Sequence, residues 1–150
     1  MSSHNKKFFY FDVAHAVKEH DWIIETTGGL SGINNIGNIE SPLEHIKNDM
    51  YYPAFEDKLT HLVYSINKNH AFIDGNKRSS IALGAYFLEL NGYDYVVVDF
   101  VRKMENIAVW VADNYISKPL LNKLIHSLIN EFEYSEELKL ELYSAIKVIP

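Results

Sequence analysis

From Asp12 to Glu25 the apolar residues Val13, Val17, Ile23 and Ile24 recur among polar ones, which predicts an amphipathic first helix with Asp12 as its N-cap. The pattern breaks at Gly28-Gly29. Between there and Ser41, glycines at 28, 29, 32 and 37 alternate with Asn34, Asn35 and Asn38, a composition of turns, so a shaped loop or short hairpin is expected. Pro42 suits a first helical turn and predicts a short helix through His45, interrupted at Tyr51-Tyr52-Pro53. Leu59, Leu62, Val63 and Ile66 then mark one face of a helix over Asp57 to Asn69, which runs straight into His70. From Asn76 to Leu90 the apolar residues lie on nearly every side, as in a helix at the centre of a bundle, and Asn91-Gly92 supplies its stop. Tyr93 to Phe100 is β-branched and aromatic, predicting a short strand or extended segment. Helical patterning resumes over Met104 to Asn114, Pro119 to Glu131 and Glu136 to Ile146. The fold class is mainly α.

Composition narrows the function. At 150 residues, 47% hydrophobic and 23% charged, the chain fits a single globular domain over 1–150. A net charge of −6 opposes a phosphate-backbone partner unless a local basic patch holds it, and no such patch stands out, so no nucleic-acid partner is expected. The longest apolar-rich stretch, Ile81 to Leu90, falls far short of the roughly 20 residues a membrane span needs. The polar run Met1 to Lys7 lacks the apolar core of a secretory signal, and a cytoplasmic location without membrane contact is expected. With no cysteine, thiolate chemistry and cysteine-ligated zinc are excluded.

The chemistry concentrates in His70-Ala-Phe-Ile-Asp-Gly-Asn-Lys-Arg78. This run lies between two helices and ends at a helix N-terminus, where unpaired backbone N–H groups and the helix dipole favour an anion, commonly a phosphate. Gly75 permits close backbone approach and Asn76 carries a donor amide, while Lys77 and Arg78 add two positive charges in the first turn. Cations there are disfavoured unless an anion lies between them. Asp74 among these donors suits a phosphate site if a divalent metal such as Mg²⁺ bridges carboxylate and phosphate. His70 is the one residue here that exchanges a proton near neutral pH, which makes it the candidate general base. Phe72 and Ile73 are expected to anchor the loop to the core. Taken singly, a histidine at a helix end or a Lys-Arg pair in a first turn has a plain structural explanation. The ordered set is harder to explain that way.

These residues resemble the signature of the Fic/Doc family, matched at His70, Phe72, Asp74, Gly75, Asn76, Lys77 and Arg78. The likeness continues in Gly28-Gly29-Leu30-Ser31-Gly32, with Gly37, Glu40 and Leu43, and in Phe87-Leu88-Glu89-Leu90-Asn91-Gly92-Tyr93. It covers roughly residues 9–131 and leaves 132–150 as a C-terminal helical extension. The resemblance implies a small helical bundle with a β-hairpin flap, here within Gly29 to Glu44. It also implies that His70 deprotonates a hydroxyl of a target protein, that Asp74 holds Mg²⁺, and that Gly75, Asn76, Lys77 and Arg78 bind the phosphates of ATP.

Two positions distinguish branches of that family. Lys77 stands where AMP-transferring members have Gly, and Ile81 where they have a second Arg; both match the Doc branch, whose archetype resembles a kinase acting on a threonine of elongation factor Tu. A lysine here would crowd the position used for AMP transfer while offering its charge to a terminal phosphate. The expected activity is therefore phosphoryl transfer to a cytoplasmic protein such as a translation factor, as the toxin of a toxin–antitoxin pair. AMP transfer is the alternative, and a catalytically silent nucleotide- or partner-binding domain is an alternative of another class. Ser127 and Glu131 have the spacing of the family's inhibitory helix. However, Phe132 follows them and Ile81 offers no charge, so control by a separate antitoxin is expected instead.

The other histidines, His4, His15, His20, His45, His61 and His126, show no paired spacing of a zinc helix. His15 and His61 are expected in packing or surface roles. Ser79 and Ser80 suit either helix capping or phosphate contact. No Walker or protein-kinase signature occurs.

Overall fold

The computed structural model describes residues 7–150; the N-terminal polar run and His4 fall almost wholly within residues 1–6, outside the described residues. Seven α-helices occur among the described residues: α1 (Val13–Thr27), α2 (Gly37–His45), α3 (Phe55–Lys68), α4 (Asn76–Leu90), α5 (Val97–Ala112), α6 (Lys118–Asn130) and α7 (Glu136–Ile146). The helix α4 lies at the centre, packed by α3 and α5 and also by α1, and α6 packs on the far side of α3.

Local chemistry accounts for the ends of these helices. Asp12 caps α1 by accepting the His15 N–H at 2.9 Å, and Ala16, His20, Ile23 and Ile24 form its buried face. At the end of α4, the Tyr93 N–H reaches back to the Leu88 carbonyl at 2.9 Å, with Gly92 at φ +84, which closes the helix in a Schellman turn. The Asn91 side chain bonds both the N–H and the carbonyl of Phe9, at 2.9 and 3.0 Å, and so pins the N-terminal segment across the end of α4. Ser135 caps α7 through the Leu138 N–H. The last helix, α7, packs on α6 through the buried Leu138.

Three expectations are corrected. Tyr93 to Phe100 is not a strand: Asp94–Val96 forms a 3₁₀ turn and α5 begins at Val97. Phe100, Met104, Ile107 and Val111 recur with helical spacing and are buried, so tertiary burial outweighs the β-propensity of the flanking valines. The second helix starts at Gly37, not Pro42. Asn35 Oδ1 accepts the Gly37 N–H just ahead of it, and Pro42 is buried inside the helix at the cost of one internal hydrogen bond. No β-hairpin flap forms among the described residues, because the backbone around Ile33 pairs with the loop at Phe72 instead of with a return strand of its own. Asn34 and Asn35 both donate their N–H groups to the Ala71 carbonyl, and Ile73 donates to the Gly32 carbonyl at 3.1 Å.

Gly84 lets α4 approach its neighbours closely. A Cβ there would lie 2.7 Å from Phe100 Cζ and 2.9 Å from Val63 Cγ2, both in the buried core. Gly84→Val is therefore expected to destabilise the fold by about 1–3 kcal/mol through overpacking, read as a lower denaturant midpoint.

A second buried feature predicts a pH response. His61 Nε2 faces His45 Nδ1 at 3.0 Å, and its Nδ1 meets Lys118 Nζ at 2.7 Å and the Tyr52 hydroxyl at 3.2 Å. Burial pushes the His61 ring down to about 4, with the charges of Lys118 and His45 adding to the effect. The unfolded chain, titrating near 6.5, takes up this proton first on acidification. Stability from the neutral ring is complete above about pH 6.5 and falls as the pH drops toward 4. Urea midpoints measured from pH 7 to 5.5 should decrease, and His61→Gln should flatten that decrease.

Candidate active site

The segment between α3 and α4 is a loop closed by its own hydrogen bonds. Its first residue, His70, takes φ +49, a left-handed conformation unusual for a side-chain-bearing residue, which turns the chain out of α3. Phe72 is buried, and the Asn76 side chain closes the loop by accepting the Phe72 N–H at 3.1 Å and donating to the Phe72 carbonyl at 3.0 Å. Ile73, expected to anchor the loop beside Phe72, is 55% exposed and lies over Gly32 at the rim.

Asp74 extends into this loop with both carboxylate oxygens oriented. The Leu30 N–H donates to Oδ2 at 3.0 Å and the Gly75 N–H to Oδ1 at 2.8 Å. These two bonds, the Leu30 one foremost, hold its carboxyl below the usual carboxylate range, with smaller help from Arg78 and His20. Each oxygen keeps a further lone pair, so an ionised, half-exposed carboxylate remains able to meet a hard cation.

Gly75 caps α4 at φ +79, and the N–H groups of Asn76, Lys77 and Arg78 lie in the first turn, where helical geometry gives them no acceptor. The Arg78 guanidinium stands 3.9 Å from Asp74 Oδ1 and donates through Nη1 to Thr27 Oγ1 and to the Gly28 carbonyl, the latter at 2.8 Å. The end of α1 is thereby tied to the start of α4. Gly29 is required here: a Cβ on it would sit 2.7 Å from Asp74 Oδ2 and 3.0 Å from Arg78 Nη2, and its φ is +120.

These residues share one cleft of about 460 Å³, lined by His70 and every residue from Ile73 to Arg78, with Asn67 and Ala112 completing it. All six candidate residues, His70, Asp74, Gly75, Asn76, Lys77 and Arg78, thus meet in one place. His70 and Lys77 are exposed, whereas the Asn76 amide is engaged with the loop and retains one free donor hydrogen. Ser79 and Ser80 are fully buried and Ser80 Oγ bonds the Lys77 carbonyl, so neither faces the cleft.

Sequence reasoning missed Asn67, Thr27, Leu30 and His20. Asn67 Nδ2 donates to the Ala108 carbonyl at 3.0 Å while its Oδ1 is buried without a partner. One polar residue on an apolar helix face carried a faint signal; the others contribute backbone groups or contacts from 44 or more residues away, which no local pattern reports. Chemically, the cleft offers an exposed imidazole, an ionised carboxylate, a helix N-terminus and two cations.

Comparison with known proteins points the same way. A family model described as "Fic/DOC family" matches residues 10–88, from the N-terminal segment through α1 and the loop into α4. The chain is also 30% identical over 89 residues to the protein named Toxin Doc of Mycolicibacterium smegmatis, an alignment covering 57% of this chain and 68% of that one.

Proposed function

The chain belongs to the Fic/DOC family, and from that premise we propose that it transfers the γ-phosphoryl group of ATP to a hydroxyl of another protein, as the toxin of a toxin–antitoxin pair. The observation that carries this reading is the meeting of His70 and the ionised Asp74 in one cleft at the N-terminus of α4. Asp74 fits a divalent cation, because its carboxylate is charged, half-exposed and fixed by two backbone N–H groups. Mg²⁺ held there would offset the negative charge of the phosphates.

The chain's own groups do the rest. The first-turn N–H groups of α4, with Lys77 and Arg78, hold the phosphates and spread their charge. His70 accepts the proton of the attacking hydroxyl. The hydroxyl oxygen forms a bond to the γ-phosphorus as the bond to the bridging oxygen breaks, ADP departs, and the proton resides on the imidazole. Exposed Lys77 in the cleft and half-buried, uncharged Ile81 one turn along α4 favour this outcome over AMP transfer, which would use a second guanidinium at 81. The similarity to Toxin Doc supports a toxin with an antitoxin partner; the target we propose for it is a cytoplasmic protein such as elongation factor Tu.

Incubating the purified protein with bacterial lysate and ATP labelled at either the α- or the γ-phosphate tests the reading. Label should pass to protein from the γ position only. Label from the α position alone would convert the assignment to AMP transfer, and label from neither would leave a silent binding domain.

A further inference from the structure

The direction of the Asp74 carboxylate depends on the peptide unit that follows it, and that unit is held from outside the signature segment. His20, on the inner face of α1, is fully buried, with its Nε2 2.6 Å from the Asp74 carbonyl oxygen. Its ring lies flat on Phe72, with centroids 3.7 Å apart and planes within 2°. A carbonyl only accepts, so Nε2 carries the proton. The other ring nitrogen, Nδ1, is buried without a hydrogen-bond partner, with the Asp21 carboxylate 3.7 Å away. An apolar side chain would fill this space without burying an unpaired ring nitrogen, but it would leave the Asp74 carbonyl without this donor. The single bond to Asp74 is what the imidazole adds.

The geometry of that bond reaches the carboxylate. In a planar trans peptide the carbonyl and the following N–H point in opposite directions. Holding the Asp74 carbonyl toward α1 therefore aims the Gly75 N–H away from it, and that N–H meets Asp74 Oδ1 at 2.8 Å. The Leu30 N–H fixes the second oxygen. We propose that His20 is a positioning residue: through the Asp74–Gly75 peptide it sets the carboxylate and the start of the anion cradle before any ligand arrives. This inference rests on the reading of Asp74 as a Mg²⁺ ligand.

Three measurements test it. In ligand-free wild-type protein, ¹⁵N NMR of the His20 ring should show protonation at Nε2; a ring protonated at Nδ1 alone overturns the proposal. His20→Phe retains the stacked ring and removes the donor. It should weaken Mn²⁺ binding, measured with a non-hydrolysable ATP analogue, by about 10-fold or more, the loss typical when an outer partner of a metal ligand is removed. It should also displace the Gly75 amide resonance in the ligand-free protein. His20→Gln restores an N–H donor and should recover most of the Mn²⁺ affinity.

An unchanged Mn²⁺ affinity and Gly75 resonance in His20→Phe would overturn the inference, as would equal losses in both variants, which mark a packing role. Asp74→Asn measured alongside separates the two levels. If that variant binds Mn²⁺ like the wild type, the metal-ligand reading fails, whereas the Gly75 resonance still reports on His20. Should His20→Phe not fold, the wild-type ring tautomer decides.

Discussion

Replacing His70 is expected to lower the transfer of γ-labelled phosphate to protein by about 10²–10⁴-fold, the range associated with a positioned general base. Growth arrest on induced expression should disappear with it. The variant needs care, because His70 sits at φ +49, a conformation that alanine adopts only with strain and asparagine tolerates. Both His70→Ala and His70→Asn should lose activity alike, while His70→Ala should also melt at a slightly lower temperature. Activity retained in His70→Asn would show that the imidazole is not the base. Activity lost only in His70→Ala would trace the effect to loop geometry.

The second large effect is expected at Asp74. Asp74→Asn removes the negative charge and turns an amide NH₂ toward either the Leu30 or the Gly75 N–H, each of which now donates to a carboxylate oxygen. The variant loses the hard anionic ligand and sets donor against donor in the loop. Titration with Mn²⁺ and a non-hydrolysable ATP analogue should show affinity reduced by more than about 100-fold, beyond the usual effect of an outer-shell change. Transfer activity should fall with it and recover only in part at high Mg²⁺. Metal affinity equal to that of wild type would remove Asp74 from the role assigned to it.

How much of this was legible in the chain depended on the range of the determining interaction. The boundaries of α4 were readable, because Gly75 and Asn91-Gly92 punctuate an otherwise unbroken apolar run, and the structure starts and stops that helix at Asn76 and Leu90. The last helix, Glu136–Ile146, followed in the same way from local patterning behind Ser135. By contrast, Tyr93 to Phe100 misled because its valines carry β-propensity, whereas the burial of Phe100 and Met104 against the bundle decided the outcome. The hairpin expectation failed for a related reason: the glycine-rich segment does extend, but its partner is the Ala71–Ile73 loop, about 40 residues away.

The site shows the same division. His70, Asp74 and the Gly75-to-Arg78 run were readable because they lie within nine consecutive residues. Their supports were not. The Arg78 guanidinium is held at Thr27 and Gly28, the Asp74 carboxylate at Leu30, and the Asp74 carbonyl at His20. In the chain alone Gly29 is one glycine among several, and only the structure shows why no side chain fits there: its φ is +120 and a Cβ would lie 2.7 Å from Asp74 Oδ2.

The most direct test is the chemical identity of the product. Peptide mass spectrometry of a bacterial host expressing either the wild-type chain or His70→Asn should find a host-protein hydroxyl that carries a phosphoryl group only with the wild type. An adenylyl group at such a hydroxyl, or identical modification in the two cultures, would contradict the account.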